Sequence, residues 1–375
     1  MKHQRPVAKS VGRILVEQLP GLGRELFRVG RGMRRGKAVV PWKIEFFVTY
    51  SCGSRCKTCL IWTRYEREPE KRLLELSPQA FGKISQSVAD SLRWLSFTGG
   101  EITDREDAAE LVSLAAEGAP KARVISSSTH GLSPEKTEEL FDDLATRFPE
   151  RAIMVTLSLD GLGKTYEKIR GVPGSERVLE TQERLARLSE RCPNLSSSFQ
   201  ATLSQRNFEE AGSLIEAMAQ RASGNVVTIA NDSRVLTEGR IKNVDARNSK
   251  RLEHALEEAI ASNPIDGISG AFSQLYLRLA RNSLADGLAP IPCTAGFSSL
   301  TISPYGEVLQ CDRHDEPLGV LTGPDYDLKA LVSSDDFAQR LSPNAGCREC
   351  FTPCQAYPSM MHAPLKASFL ALTPR

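Results

Sequence analysis

Past the first forty residues, short apolar runs and longer amphipathic stretches take turns along the chain. Ile44–Thr49, Trp94–Phe97, Arg123–Ser126, Ile153–Ser158, Ser198–Leu203 and Asn225–Ala230 have the length and composition of strands. Between them, Pro78–Ser91, Glu106–Glu117, Pro134–Phe148, Ser175–Glu190 and Phe208–Arg221 read as helix-length segments. Ser77-Pro78 and Ser133-Pro134 each set a capping serine before a first-turn proline. Short strands that are each followed by a helix predict a parallel sheet covered by helices. Six such units predict an α/β fold, either a partial (β/α)6 TIM-like barrel or an open doubly wound sheet.

The pattern changes twice more. Residues Ile241–Leu288 read as mostly helical, with a break at Asn263-Pro264 and Gly267–Gly270. From Cys293 onward, Ser299–Ser303, Pro304-Tyr305-Gly306 and Glu307–Gln310 predict a β-hairpin with a Pro/Gly turn. The expected division is a basic amphipathic leader at 1–40, the barrel at 41–235, a helical connector at 236–290 and a small cysteine-rich domain at 291–375. In the leader, Val11, Ile14, Leu15, Leu19, Leu22, Leu26 and Phe27 stand among arginines, interrupted by a Pro20-Gly21 break.

A chain of 375 residues fits about two domains of roughly 150 residues each. With 41% hydrophobic and 25% charged residues, wholesale disorder is excluded. No apolar run approaches the ~18 residues of a membrane span. The overall charge of +2 hides an asymmetry: residues 1–40 carry +8, so the remainder carries −6. Such a leader suits packing on the barrel or contact with an anionic membrane surface. Nucleic acid is the weaker option, because the body is acidic and aromatics are few. A further apolar stripe runs through Met360-Met361 and Leu365–Leu372.

The chemistry lies in nine cysteines, of which only Cys192 stands alone. The basic start is not followed by a secretory h-region and cleavage site, so a cytoplasmic, reducing setting is expected. There, clustered cysteines read as metal ligands before disulfides. Cys52, Cys56 and Cys59 follow the first strand at spacing x3 then x2. Three thiolates can wrap one iron–sulfur cluster and leave a position open, as catalysis requires. A zinc site would need a fourth ligand, and no His or Cys lies between Cys59 and His130. The second set is Cys293, Cys311, Cys347, Cys350 and Cys354: a cysteine on each side of the hairpin and a Cys-x2-Cys loop that folds back. Taken alone, it fits zinc and iron–sulfur equally.

The segment VTYSCGSRCKTCLIW resembles the radical S-adenosylmethionine (SAM) superfamily. The resemblance implies that Cys52, Cys56 and Cys59 hold a [4Fe–4S] cluster whose open iron chelates SAM. Reductive cleavage of SAM then yields a 5′-deoxyadenosyl radical. Thr58 departs from the aromatic residue many members carry before the third cysteine. Gly99-Gly100-Glu101, ending the second strand, resembles the family motif whose backbone and acid bind the methionine ammonium; Ile102 replaces the proline that often follows. Thr129-His130-Gly131 stands where relatives read Thr-Asn-Gly, so His130 is a candidate catalytic or SAM-contacting residue. Ser158-Leu159-Asp160-Gly161 and Ile169-Arg170-Gly171 are also similar to family segments. They imply a SAM contact from Ser158 and a carboxylate partner in Arg170; Asp160 reads equally well as a turn cap.

With that signature upstream, the hairpin cysteines resemble a SPASM/Twitch extension, and five of them favour the shorter Twitch form with one auxiliary [4Fe–4S] cluster. Its implied ligands are Cys293, Cys311, Cys347 and Cys350, with Cys354 a substitute fourth ligand or a nearby thiol. Asp312 stands where sulfatase-maturing relatives carry a base. The expected function is therefore hydrogen abstraction from a small-molecule, lipid-linked or peptide substrate, ending in oxidation or bond formation. A flavodoxin or ferredoxin would supply electrons, in the cytoplasm and in reach of the inner membrane surface. The competing reading is a non-catalytic zinc protein that contacts membrane or nucleic acid through its leader.

Overall fold

The computed structural model describes residues 10–230, 232–243, 249–263, 265, 267–284 and 287–372. The six predicted strands form as β1 (Lys43–Phe47), β2 (Trp94–Thr98), β3 (Val124–Thr129), β4 (Ala152–Ser158), β5 (Leu195–Leu203) and β6 (Val226–Ile229). Each is parallel to the next, in spatial order β6-β5-β4-β3-β2-β1. Helices Pro78–Ser87, Ala108–Gly118, Pro134–Arg147, Ser175–Arg191 and Ala211–Ala219 return the chain between strands. This is the partial barrel of the two alternatives.

The hairpin forms as β7 (Ser299–Ile302) and β8 (Glu307–Leu309), followed by β9 (Gly319–Val320). It does not make a sheet of its own. β7 lies parallel against β1, pairing Lys43 with Ser299 and Phe46 with Ile302, so one nine-stranded sheet runs through both parts. The described part of the connector contains helices Ser249–Ser262 and Gly267–Ser283; the predicted break at Pro264 lies outside the described residues.

The two faces of the sheet differ sharply. Ile44, Phe46, Leu95, Phe97, Ile125 and Val155 point to the helices and belong to the main apolar core. The alternate residues face inward and are mostly hydroxyl-bearing: Ser96, Thr98, Ser126, Ser128, Thr156 and Ser158. Their common face is confirmed by bonds across strands, Trp94 Nε1 to Ser126 Oγ at 2.7 Å and Thr98 Oγ1 to Ser128 Oγ at 2.9 Å. A packed barrel interior is filled by branched apolar side chains. Here the inward hydroxyls are only half-buried, so the interior is a polar lumen.

Two local expectations are corrected. Ser77 and Ser133 stand at the predicted N-cap positions, but neither hydroxyl caps its helix. Their backbone carbonyls take the N–H groups of Ala80 and Thr137 instead, at 3.0 and 2.9 Å. The leader does not break at Pro20-Gly21. It forms one helix, α1 (Val11–Arg34), with Pro20 inside it. Pro20 is solvent-exposed, so the carbonyl that loses its N–H partner faces water. Buried Ile14 and Val29 hold the helix on both sides.

α1 lies across the N-terminal ends of the strands. Val11 N–H donates to the Pro193 carbonyl just before β5. Glu25, 7% exposed, accepts from Arg93 just before β2 at 2.9 Å and from Arg28 at 2.8 Å.

Candidate active site and cysteine centres

The loop carrying Cys52, Cys56 and Cys59 leaves the C-terminal end of β1, and backbone bonds fix it at the barrel mouth. Arg55 N–H donates to the Arg170 carbonyl and Lys57 N–H to that of Ile169, both at 2.8 Å. Gly171 permits this approach: its φ is +71°, and a Cβ there would fall 2.3 Å from the Arg55 carbonyl oxygen. On the other side, Leu60 N–H donates to Leu236 O at 2.7 Å and Asn243 Nδ2 to Thr58 O at 3.2 Å.

The three thiols converge. Burial pushes the Cys59 thiol up to about 12, with the neighbouring Cys56 sulfur acting in the same direction. Burial likewise raises Cys52, helped by Cys56, Glu101 and Cys59. Cys56 is raised by burial and opposed by the Arg170 cation. Neutral buried thiols that crowd one another fit a multivalent cationic centre that would deprotonate them on binding.

Three thiols carried on one short loop supply three ligands and leave one position open, which suits an iron–sulfur cluster that binds a further ligand. Among the described residues, His314, Cys347 and Glu349 bring ligand atoms mutually within 4.8 Å, a set that could hold a metal ion.

The GGE segment packs directly on this loop. A Cβ on Gly100 would lie 1.9 Å from the Ser51 carbonyl oxygen, so only glycine lets β2 end there. Glu101 N–H donates to that same carbonyl at 2.7 Å. The Glu101 carboxylate, 1% exposed, is already surrounded by donors. Oε1 accepts from Thr103 N, Thr103 Oγ1 and Thr129 Oγ1, at 3.1, 2.8 and 2.6 Å; Oε2 accepts from His130 N at 2.7 Å. Glu101 therefore reaches the site as a charge and as the clasp joining β2 to β3. His130 Nδ1 lies 3.1 Å from Leu132 N and 3.2 Å from Glu101 Oε2, which fixes the ring. Nε2 faces the cysteine loop, where a Cβ on Gly53 would lie 3.5 Å from it.

Ser158 ends β4 on the lumen side, half-buried. Asp160 and Arg170 form a buried pair, Oδ2 to Nε at 2.8 Å with side-chain exposures of 2% and 12%. The other Asp160 oxygen accepts from Thr202 N at 2.7 Å. Arg170 Nη1 lies 3.7 Å from Cys56 Sγ. Burial works against the Arg170 cation, but Asp160 and Cys56 outweigh it and hold it charged. Structure thus places Arg170 between Asp160 and a cysteine sulfur.

The second cysteine set gathers around the hairpin and Asp312. Cys293 N–H donates to Cys347 O at 2.8 Å, joining the hairpin's leading segment to the Cys-x2-Cys loop. Backbone N–H groups aim at sulfur: Ala295 at Cys293 Sγ, 3.4 Å, and Glu349 at Cys347 Sγ, 3.5 Å. Burial, with Cys347 in support, raises Cys293 to about 11. Burial, with Asp312, Cys293 and Cys347 in support, raises Cys350 to about 12. Cys311 rises through burial, Asp312 and Cys293.

Cys354 shares Asp312 as a neighbouring charge with Cys293, Cys311 and Cys350, and it also meets β1: burial, Glu45 and Asp312 raise its thiol, while Lys43 opposes. Its carbonyl accepts from Lys43 Nζ at 2.9 Å. Asp312 lies beside the second set, and its carbonyl accepts from Ser233 Oγ and Val235 N at 2.5 and 3.2 Å, closing the open side of the barrel. Cys192 is buried in the main core.

Sequence reasoning missed the inner wall. Ser126–Ser128 and Ser196–Ser198 are runs too short to count as low complexity, yet their inward members line the lumen. Lys43 and Glu45, 2% and 4% exposed, are charges inside a strand, and that is the signal that marks the floor.

Residues 46–222 match the family model for the Radical SAM superfamily. No curated protein matches the chain. Among solved structures, Streptococcus suis SuiB bound to precursor peptide SuiA is similar at 17% identity and TM-score 0.58, covering 84% of this chain and 70% of that one. Native anSMEcpe with bound AdoMet is similar at 15% identity and TM-score 0.56, covering 88% and 99%. Native anSMEcpe with bound AdoMet and Cp18Cys peptide gives TM-score 0.55 at 15% identity, covering 88% and 99%. These likenesses establish the fold.

Proposed function

This chain is an enzyme built on a radical SAM domain, and from that premise we propose that it abstracts hydrogen from a peptide substrate held in the barrel lumen. Cys52, Cys56 and Cys59 would hold the SAM-binding [4Fe–4S] cluster, and Cys293, Cys311, Cys347 and Cys350 an auxiliary [4Fe–4S] cluster. Bound there, the first cluster and SAM supply the 5′-deoxyadenosyl radical. Arg170 holds positive charge beside Cys56, kept in place by Asp160. Gly99 and Gly100 let the β2 end meet the cysteine loop, and Glu101 clasps it. Ser158 and His130 Nε2 offer polar contacts at the mouth. Asp312, next to Cys311, would accept the proton released by a substrate oxidation. A flavodoxin or ferredoxin would be the reductant, with the cytoplasm as the compartment that supplies it.

The observation that carries this reading is the set of three thiols, Cys52, Cys56 and Cys59, held on one loop at the mouth of a polar lumen. The peptide choice draws on two supports. The similar SuiB and anSMEcpe structures are described with peptides. Serine and threonine hydroxyls both donate and accept, as alternating peptide N–H and C=O groups require.

Anaerobically reconstituted protein should be brown, carry about eight irons for two four-iron clusters and form 5′-deoxyadenosine under reduction. Cys52→Ala should retain about four irons and lose SAM cleavage. Colourless protein that binds zinc would overturn the reading in favour of the non-catalytic alternative. Deuterium passing from a labelled peptide into 5′-deoxyadenosine would identify the substrate. Ser198→Ala and Thr156→Val should raise the peptide KM without slowing SAM cleavage in its absence.

A further inference from the structure

α1 has two faces. Ile14, Glu25, Val29 and Gly32 are buried against the barrel. Gly32 packs so closely that a Cβ would lie 2.5 Å from Val39 Cγ1. The opposite stripe carries Val16, Leu19 and Phe27, exposed by 52%, 59% and 68%. The same stripe presents Arg13, Arg24, Arg31 and Arg34 against one acid, Glu17. Among the described residues, Arg24, Arg31 and Arg34 make no ion pair and no side-chain hydrogen bond. A helix already anchored on one face has no folding reason to place three large apolar side chains among arginines on the other.

We propose that this outer face of α1 docks the enzyme in the plane of an anionic lipid bilayer. Apolar side chains flanked by arginines suit the headgroup boundary, where the chains insert and the guanidiniums meet lipid phosphates. The +8 charge of residues 1–40 against a −6 body gives the orientation: the leader is drawn to an anionic surface while the barrel is repelled. Contact is in-plane, because no helix among the described residues is long and apolar enough to cross a membrane. Because α1 lies at the N-terminal ends of the strands, docking leaves the barrel mouth turned away from the bilayer.

The test is flotation of the full-length, cluster-loaded protein with phosphatidylcholine vesicles, with and without phosphatidylglycerol. The protein should float with the anionic vesicles and stay behind with the neutral ones. Leu19→Ser/Phe27→Ser and Arg24→Glu/Arg31→Glu should each lower the bound fraction about tenfold or more. Both variants alter exposed positions, so iron content and SAM cleavage should stay at wild-type levels. No flotation of the wild type would overturn the proposal, as would full binding by the Leu19→Ser/Phe27→Ser variant. So would light scattering that shows a dimer which those substitutions convert to monomer, since the stripe would then be a self-association face.

Discussion

Removing the charge of Arg170 and that of Asp160 should move the potential of the SAM-binding cluster in opposite directions. Arg170 Nη1 is 3.7 Å from Cys56 Sγ, and its Nε is 2.8 Å from Asp160. At an effective dielectric of about 20, unit charges about 4 Å apart interact by about 4 kcal/mol. An added electron spread over four irons lies farther off than the sulfur, which roughly halves this to about 2 kcal/mol. One-electron couples shift by about 59 mV for each tenfold change in equilibrium, or about 1.4 kcal/mol. Arg170→Gln should therefore lower the midpoint by about 80 mV. Asp160→Asn should raise it by about half as much, because the carboxylate stands behind the guanidinium. The assay is an EPR-monitored redox titration of the SAM-responsive signal. Breaking one side of a buried pair costs about 3–5 kcal/mol of stability. The double variant Arg170→Gln/Asp160→Asn therefore serves as the folding control and should return the potential towards the wild-type value. Shifts of the same sign in the two single variants, or no shift in either, would refute the reasoning.

Three further outcomes follow from the geometry. Gly100→Ala places a Cβ against the Ser51 carbonyl at 1.9 Å and should abolish SAM cleavage while the auxiliary irons remain, read by iron assay and 5′-deoxyadenosine yield. Cys354→Ser should leave total iron unchanged, whereas Cys350→Ala should cost about four irons; equal losses would return Cys354 to the ligand set. Burial depresses His362 to about 4, so the unfolded chain binds its proton first as pH falls. The resulting stability is full above about 6.5, declines through the window down to about 4, and amounts to about 2 kcal/mol after screening. Urea unfolding at pH 7 and pH 5 should show the loss, and His362→Gln should remove it.

Much of this was legible in the residues because apolar periodicity and cysteine spacing are local signals. The six strands formed within a few residues of their predicted bounds, and the hairpin formed at 299–309. What escaped was set by long-range packing. Pro20 reads as a break when only its neighbours are considered, yet α1 continues because Ile14 and Val29 are held by the barrel. The partnership of β7 with β1 joins residues more than 250 positions apart and has no sequence mark. The contact of Cys354 with Lys43 and Glu45 depends on the turn into helix Pro353–His362, which brings it against β1.

The inner wall shows why fold and chemistry can be read at different depths here. In β3, Val124, Ile125 and three consecutive serines form one strand, and only the register decides which serine meets water. Ser127 is buried on the helix side at 4% exposure, while Ser126 and Ser128 face the lumen. Stability is carried by the helix-facing residues, such as Phe97, Ile125 and Val155, whose truncation opens cavities in a closed core. The inward hydroxyls are half-buried, some bonded across strands as in Trp94–Ser126 and Thr98–Ser128, and their exchange costs less than a core truncation. A substrate held in the lumen would then be chosen by wall residues that the fold leaves nearly free, while the motifs at the barrel mouth mark the radical SAM domain.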